Sequence, residues 1–389
     1  MDKTKCLLCH GTNLIDLIDI HNFPIFFGPI SPEMANQVKA FPLTIAICKD
    51  CSFVQQINLL DEEILYKLYT ADYYDNPSPQ TNERGKNFVD DFLMFVDECN
   101  IQKGKLLEIA CFDGYVLEQL KRKGWDVYGC DPSSMTKIAI ENLGEERIIN
   151  DFFNENTYPA EEFDVVIFRN FLEHVYDVHG FMQSVYKCIK NGGSVLIDVP
   201  NIKQLVENTC FGVFFHQHVS YFSVHTLTVL LEKNGFHVEK YQDGWKLFVY
   251  GVKRDTYEKE HVSFYKFDSD KEKESIIADI NEIKNNIYNI FNNNNVNNIA
   301  LFGASVQAST IISFVDKKYI SKIRYIFDSD SLKQGKSMYG CDATIMSPSV
   351  INECNFDVVI ITTSYWEKEI YDQLLELGVE KDKIITLYN

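Results

Sequence analysis

Four cysteines near the start of the chain have the spacing of metal ligands. They form two Cys-x-x-Cys pairs, Cys6 with Cys9 and Cys48 with Cys51. Each pair can present two thiolates from one turn, and four thiolates enclose a zinc ion tetrahedrally without leaving a position for water. Two unrelated redox or buried pairs are the alternative, but neither pair has the strand-to-helix context of a thioredoxin motif. The spacing therefore predicts a structural zinc site.

Histidines form a second group with chemical potential. His174 directly follows an apolar run that predicts a strand, and His216 and His218 lie beyond the next such run. A lone histidine is usually a structural or surface residue, whereas three within a short distance of one site make a stronger case for a functional role. We expect His216 to have a packing or capping role. A three-histidine metal site is the rival interpretation, and the sequence offers it no evident carboxylate partner.

The segment 106–114 predicts a strand, a short loop and the start of a helix. Glu108 lies near the end of the strand, and Ala110 and Gly114 lie in the loop. Methyltransferases that use S-adenosylmethionine (SAM) have a similar segment, in which small residues admit the cofactor and helix N–H groups face its amino-acid part. We therefore predict that Glu108, Ala110 and Gly114 contact SAM.

Polar residues follow the next strands at positions that suit the rest of this cofactor. Asp131 ends the second strand, where a carboxylate can accept both ribose hydroxyls. Asp151 and Phe152 follow the third strand and offer a carboxylate for the adenine amine and a ring for its face. Asn170 ends the fourth strand, at the mouth of the sheet. These four residues complete the predicted cofactor site.

NAD is the competing cofactor, and a ligand-free relic of the fold is the other alternative. A pyrophosphate needs the bare backbone of Gly-x-Gly-x-x-Gly, whereas Ala110 and Phe112 occupy the corresponding positions here. SAM has no pyrophosphate and tolerates these side chains. The segment favours SAM.

Short apolar runs alternate with amphipathic helical stretches between residues 104 and 253, which predicts a doubly wound parallel sheet. The predicted strands are 105–110, 125–130, 163–168 and 193–199. The two cysteine pairs are joined by a proline- and glycine-containing stretch that is typical of a loop. Residues 61–100 are predicted to be helical, apart from a turn-rich stretch at 73–79.

A second α/β pattern follows an amphipathic helix with isoleucines every three or four residues between 276 and 290. Its predicted elements are strands 299–302, 325–327, 358–362 and 383–388 and a helix over 306–314. The predicted fold class is thus α/β, with three parts. They are a small N-terminal zinc-binding and substrate-lid module (1–80), a class I SAM methyltransferase Rossmann-like domain (81–253), and a helical connector with a second Rossmann-like C-terminal domain (254–389).

The loop 303–309 lies between a strand and a helix, as a phosphate-binding loop would. Gly303 is followed by Ser305 and Ala308 where later glycines would be needed, so the fingerprint is degenerate. Nucleotide binding and simple packing remain equal alternatives on composition. Tyr365 and Trp366 could stack a base or pack in a half-buried position.

The chain resembles the SAM-dependent nucleotide-sugar C-methyltransferases that make branched deoxysugars, and the resemblance covers nearly its whole length. It rests on the cysteine pairs, Leu172-Glu173-His174, His216-x-His218, and Asp328-Ser329-Asp330 through Lys333-Gln334-Gly335. It implies a 4-keto nucleotide-sugar substrate, which the second Rossmann-like domain (254–389) would help to bind. A base removes the C3 proton, and the resulting enolate carbon attacks the methyl group of SAM. His218 matches the base, and Tyr69 and His174 match further active-site positions.

The chain departs from that family where the typical stretch is Tyr-His-Glu-His. Here Phe215 lacks a hydroxyl that could donate to the sugar or its enolate. Gln217, at an active-site position, lacks the charge that would raise a neighbouring histidine's pKa. O-methylation of a sugar or small metabolite, and a catalytically silent SAM- or nucleotide-binding protein, are therefore alternatives to C-methylation.

The composition limits the partners and the cellular location that we expect. Among 389 residues, 56 are acidic and 37 basic, and the net charge of −19 argues against binding nucleic acid through bulk charge. Eleven cysteines, without a signal peptide or an apolar run long enough for a membrane span, predict a reducing, cytoplasmic location and no membrane partner. A monomer is the simplest expectation. An anionic substrate would require basic residues at the site, which the sequence does not place.

Overall fold

The computed structural model describes residues 5–26, 28–31, 33–34, 37–70, 79, 83–208, 210–254, 268–363 and 366–387, with the side chains of residues 69, 70, 83 and 84 outside the description. Three β-sheets with flanking helices make up this part of the chain. None of its helices combines the length and the apolar composition that crossing a bilayer requires.

The strands are β1 (Leu14–Pro24), β2 (Ala40–Cys48), β3 (Val54–Gln56), β4 (Lys105–Ile109), β5 (Asp126–Cys130), β6 (Ile148–Ile149), β7 (Phe163–Arg169), β8 (Ile189–Pro200), β9 (Ser220–Tyr221), β10 (Phe236–Asp243), β11 (Lys246–Lys253), β12 (Ile299–Phe302), β13 (Ile323–Phe327), β14 (Ile345–Met346), β15 (Val358–Ile361) and β16 (Ile384–Ile385). The α-helices are α1 (Glu62–Thr70), α2 (Glu83–Glu98), α3 (Tyr115–Arg122), α4 (Thr136–Leu143), α5 (Val178–Cys188), α6 (Ile202–Glu207), α7 (Val224–Lys233), α8 (Ser269–Asn292), α9 (Val306–Phe314), α10 (Lys317–Ile320) and α11 (Glu367–Glu376). Short 3₁₀ turns cover Leu172–His174, Phe211–Val213, Pro348–Glu353 and Lys381–Lys383.

The stretch between the cysteine pairs is not the loop that the sequence predicts. Its ends form β1 and β2, which pair antiparallel in a sheet of order β1-β2-β3-β9. Register shifts between Asp16 and Ile18 and between Ile20 and Phe23 interrupt the alternation of apolar and polar residues in β1. Because such bulges move successive side chains out of a strict two-residue period, the pattern escapes a sequence search for strands.

The central sheet has seven strands in the order β10-β11-β8-β7-β4-β5-β6, all parallel except β11, which is antiparallel to both of its neighbours. Its four predicted strands are confirmed as β4, β5, β7 and β8, with ends shifted by a few residues. From β4 the chain builds outward through β5 and β6 on one side and then through β7 and β8 on the other. The carboxyl ends of β4 and β7 therefore flank the switch point at which open α/β sheets bind ligands.

The third sheet is parallel, in the order β14-β13-β12-β15-β16. The predicted strand at 383–388 is shorter, because only Ile384–Ile385 pairs in the described part of the chain. The predicted amphipathic helix is α8, and its isoleucines Ile276, Ile280, Ile283 and Ile287 are buried. They share one apolar core with β1 and β2 on one side and β12 and β13 on the other, so α8 joins the first and third sheets.

The first sheet also holds the histidine-bearing segment of the central unit. Val54 pairs with Tyr221, and Gln55 with Ser220, where β3 meets β9. The adjacent Val219 donates its N–H to the carbonyl oxygen of Glu173 at 2.8 Å. The segment before β9 is thus fixed both to the N-terminal sheet and to the turn that follows β7.

Candidate active site and cysteine cluster

The loop after β4 has an unusual backbone. Ala110, Phe112 and Gly114 have φ angles of 60°, 51° and 77°. Left-handed conformations of residues other than glycine are strained and cluster at functional sites. A Cβ on Gly114 would lie 2.8 Å from the Cβ of Ala139, so this position has room only for glycine. The loop is therefore held in one shape at the switch point of the sheet.

Asp131, at the end of β5, braces this loop. One carboxylate oxygen accepts the N–H of Phe112 at 3.1 Å, and the other accepts the N–H of Ser133 at 2.8 Å. Each carboxylate oxygen has a further lone pair, so Asp131 can still accept the ribose hydroxyls assigned to it from the sequence.

Glu108 lies at the same edge and is almost fully buried, at 4% exposure. Its Oε2 has no hydrogen-bond partner among the described residues. Burial raises the pKa of Glu108 to about 8, although the nearby charge of Arg169 lowers it in part. A buried polar oxygen without a partner is costly unless a ligand satisfies it, so this position fits the polar end of a cofactor.

Asp151 and Phe152 follow the third parallel strand, β6, as predicted. Asp151 is exposed, and its Oδ1 accepts the N–H of Phe152 at 2.7 Å. The Phe152 ring lies 5.6 Å from the ring of Tyr66 in α1, which brings that helix beside the predicted adenine position. The side chain of Tyr69, on the same helix, lies outside the described residues, as does Tyr365.

A buried cluster of charges adjoins Asn170 at the end of β7. Asp198 is fully buried and pairs with Arg169 at 3.2 Å and with Lys246 at 3.4 Å. Lys246 also donates to the Oδ1 of Asn170. Two cationic side chains therefore share one carboxylate at this edge of the sheet. Lys246 is 76 residues from Asn170 in the chain, and only the pairing of β11 with β8 reveals its position.

His218 has a fixed tautomer. Its Nδ1 lies 3.0 Å from the carbonyl oxygen of Val213, and because a carbonyl only accepts, Nδ1 carries the proton and donates. Nε2 then keeps the lone pair of the neutral ring. The rings of Phe215 and His174 lie 3.9 and 5.0 Å from the His218 ring. Burial holds the pKa of His218 well below its usual range, so the ring is neutral at physiological pH and its Nε2 lone pair is unprotonated.

His174 holds this segment in place. Its Nδ1 donates to the carbonyl oxygen of Gln217 at 2.8 Å, and burial lowers its pKa to about 4. The hydrogen bond connects the 3₁₀ turn after β7 to the residue before His218. The Nε2 of Gln217 in turn donates to the carbonyl oxygen of Ile25 at 3.4 Å.

His216 does not join the other two histidines, so the three-histidine metal interpretation is wrong. It has the packing role expected of it: Nε2 donates to the carbonyl oxygen of Phe23 at 3.0 Å, and Nδ1 lies 3.5 Å from the amide nitrogen of Gln56. No carboxylate partner was evident from the sequence, yet a carboxylate oxygen of Glu173 lies within 4.8 Å of a ring nitrogen of both His174 and His218. The position of Glu173 directly before His174 in the sequence is the signal that could have identified this carboxylate.

The four cysteines of the two pairs converge. The sulfurs of Cys6 and Cys51 lie 3.6 Å apart, as do those of Cys9 and Cys48. All four are free thiols and lie within 4.8 Å of one another. Tetrahedral bonds of about 2.3 Å to a central ion would place the sulfurs about 3.8 Å apart, so the spacing matches a metal-binding cluster and not disulfides.

The loop 303–309 is filled by contacts within the protein. The N–H of Ala304 donates to Asp328 at 2.8 Å, and the hydroxyl of Ser305 donates to the carbonyl oxygen of Thr362 at 2.6 Å. Gly212 donates its N–H to Gln307 at 3.0 Å, and a Cβ on Gly212 would lie 3.0 Å from the Gln307 nitrogen. The start of α9 thus packs against the turn that carries Val213.

Two family models match the chain. Residues 81–241 match a family described as "Methyltransferase domain", and residues 294–385 match one described as "C2185-like, N-terminal". Together with the strand order, the first match confirms that the central unit has the Rossmann-like fold of the class I SAM-dependent methyltransferases.

Among curated proteins, the chain is 24% identical to C-methyltransferase NovU of Streptomyces niveus, over 60% of this chain and 56% of that protein. It is 31% identical to the mitochondrial ubiquinone biosynthesis O-methyltransferase of Rattus norvegicus, over 35% of this chain and 45% of that protein. The chain thus spans about half the length of these relatives. Among solved structures, PH0226 protein from Pyrococcus horikoshii OT3 aligns over 51% of this chain and all of its own, with 16% identity and a TM-score of 0.38.

Proposed function

We propose that the chain is a SAM-dependent methyltransferase in which His218 removes a proton from the methyl acceptor. The observation that supports this proposal most directly is the hydrogen bond from Nδ1 of His218 to the carbonyl oxygen of Val213. It leaves Nε2 as the nitrogen that can accept a proton. The segment before β9 is fixed to the turn after β7, so His218 lies near the edge that holds Asn170. Base and cofactor site are then neighbours, and much of the catalysis can come from alignment.

The residues at this edge fit SAM. Glu108 offers a buried oxygen without a partner, and the packing of Gly114 against Ala139 holds the loop before α3 in one shape beside it. Asp131 would accept from the ribose, Asp151 and Phe152 would hold the adenine, and Asn170 and Ala110 would line the mouth. When bound there, SAM supplies an electrophilic methyl group.

The acceptor we propose is a nucleotide-linked 4-keto sugar that is methylated at carbon, at C3. The similarity to a C-methyltransferase over 60% of the chain and the family resemblance support it. Neutral His218 would take the C3 proton, with the electron pair delocalised onto the 4-keto oxygen. Arg169 and Lys246 share the single carboxylate of Asp198, and the positive charge left over in this group of three would favour an anionic substrate.

O-methylation is the second candidate. The central region matches ubiquinone biosynthesis O-methyltransferases, and Phe215 lacks the hydroxyl that would stabilise an enolate. Attack by oxygen would need only the base, since no carbanion forms.

The test is a screen of keto and non-keto nucleotide sugars with isotope-labelled SAM, read by mass spectrometry for the gain of one methyl group. NMR of the product then distinguishes a carbon-bound from an oxygen-bound methyl group. Absence of SAM and S-adenosylhomocysteine binding in calorimetry at millimolar ligand would overturn both enzymatic proposals and favour a silent binding protein.

We further propose that the cysteine cluster binds one structural zinc ion. Four thiolates suit zinc, and they would leave no open position for catalysis. The hydrogen bond from the Leu7 N–H to Gln55 at 2.8 Å fixes the first cysteine turn to β3, so the ion would fasten the turns at the edge of the N-terminal sheet.

A further inference from the structure

A buried base needs a counter-charge when it becomes a cation. His218 is surrounded by Phe215, His174 and Tyr221, and burial disfavours its protonated form. The imidazolium formed after proton transfer would therefore be unstable unless a negative group lay close by. In the related family pattern, the residue before the base is a glutamate, whereas here it is Gln217.

The NH2 group of the Gln217 amide contacts the N-terminal sheet, whereas its Oε1 has no hydrogen-bond partner among the described residues. Its Nε2 donates to the carbonyl oxygen of Ile25, and the side chain is 4% exposed. A carboxylate at this position would face a carbonyl oxygen without a proton to donate. Position 217 therefore serves the contact with the N-terminal sheet, and a counter-charge for His218 must come from another element.

Glu173 is placed to supply it. It is 2% exposed, a carboxylate oxygen lies within 4.8 Å of a ring nitrogen of His218, and its Oε2 has no hydrogen-bond partner among the described residues. Its backbone is fixed to the same segment through the N–H of Val219. The carboxylate thus approaches the base from the turn after β7, a different element from the segment that carries Gln217.

We propose that Glu173 is a positioning residue whose carboxylate faces the imidazolium of His218 and takes the place of the glutamate missing at position 217. This inference rests on the proposed function. The acceptor C–H or O–H bond breaks, its electron pair stays on the acceptor, and the proton forms a new bond to Nε2 of His218. No oxidant or reductant takes part.

The pH dependence follows from the groups around the pair. The titratable groups that face it come from four elements and are His174, Asp198, Tyr221 and Lys246. Burial raises the pKa of Glu173 to about 8, with Lys246 acting in the opposite direction. Because the carboxylate forms as pH rises through this value, methyl transfer should increase over the same range.

The experiment compares Glu173→Gln with a control variant, Glu272→Gln. Glu272 is a half-buried acid outside the proposed site, and its carboxylate accepts a hydrogen bond from Ser223 at 2.6 Å. We expect Glu173→Gln to lower kcat on the order of 10- to 100-fold, with SAM affinity unchanged, and to abolish the rise near pH 8. Glu173→Asp should recover part of the rate. An unchanged pH profile in Glu173→Gln would overturn the proposed role of Glu173. Methyl transfer by the wild type would, in the same experiment, still support the proposed methyltransferase function.

A second readout does not need an active enzyme. In NMR spectra of isotope-labelled histidine, assigned with His218→Ala, the His218 signal should shift as Glu173 ionises near pH 8. The shift should vanish in Glu173→Gln and persist in Glu272→Gln. A His218 signal that is the same in all three proteins would reject the contact, even if no substrate has been found.

Discussion

The Nδ1–H of His218 donates to the carbonyl oxygen of Val213, five residues earlier, at 3.0 Å. Val213 ends a 3₁₀ turn whose Gly212 is hydrogen-bonded to Gln307 of α9. The orientation of the proposed base therefore depends on a helix of the C-terminal unit. The loop 303–309, a candidate phosphate site in the sequence, thus supports the turn that orients His218.

Replacing His218 with alanine is expected to stop turnover while SAM still binds. Loss of a general base lowers rates by about 10²- to 10⁴-fold, whereas none of the proposed SAM contacts is removed. Single-turnover assays measure the rate of methyl transfer, and calorimetry measures the affinity for SAM. His237→Ala, which removes a buried histidine from β10, is the control. An active His218→Ala protein would exclude this residue as the base.

Gly114→Ala should weaken both folding and SAM binding. Its φ of 77° disfavours any side chain, and the added Cβ would also clash with Ala139. Gly192 has a φ of 74° and nothing within 4 Å of the position that a Cβ would take, so it provides a matched control for the backbone strain alone. Gly192→Ala should cost about 1–2 kcal/mol. Gly114→Ala should lower the free energy of unfolding by more than Gly192→Ala does and reduce SAM affinity at least tenfold. If denaturant unfolding and calorimetry gave the same result for the two variants, the clash would be contradicted.

Glu108→Gln should flatten the pH dependence of stability. Burial raises the pKa of Glu108 from 4.5 to about 8, so the folded chain retains a proton that the unfolded chain has lost between these values. This contribution is fully present below pH 4.5 and decreases as pH rises toward 8, by at most about 1.4 kcal/mol per pH unit. Glutamine does not ionise and lacks this decrease. Denaturant unfolding between these pH values measures it, and parallel curves for the two proteins would refute the assignment.

Cys48→Ser should lower the zinc content and the stability of the N-terminal sheet. We expect one equivalent of zinc in the wild type by elemental analysis and a lower unfolding temperature in the variant, since structural zinc contributes directly to folding. Cys354→Ser changes a half-buried thiol outside the cluster and should retain the ion. A folded wild-type protein without metal would be incompatible with the zinc proposal.

Much of the fold could be predicted from local sequence patterns. The apolar runs that become β4, β5, β7 and β8 are continuous, and the isoleucines of α8 keep the helical period, so both can be recognised without tertiary information. The bulges in β1 hid a strand because they disturb the two-residue period of a strand.

The site could be predicted only where its residues are close in sequence. Glu108 and Gly114 belong to one loop, and the cysteine pairs carry their own spacing. Lys246 could not be found, because its position depends on the pairing of β11 with β8. The separation of His216 from His218 likewise depends on the contact with Phe23, 193 residues away.

The attachment of the His218 segment to the N-terminal sheet has a kinetic consequence. Gln56 of the N-terminal sheet contacts His216 of the His218 segment, and these residues are 160 positions apart in the chain. Closing so long a loop delays the formation of this contact. The cofactor edge forms from strands much closer together in the chain. During refolding, competence to bind SAM should therefore precede competence to transfer a methyl group, so that a chain arrested midway would hold its cofactor without using it.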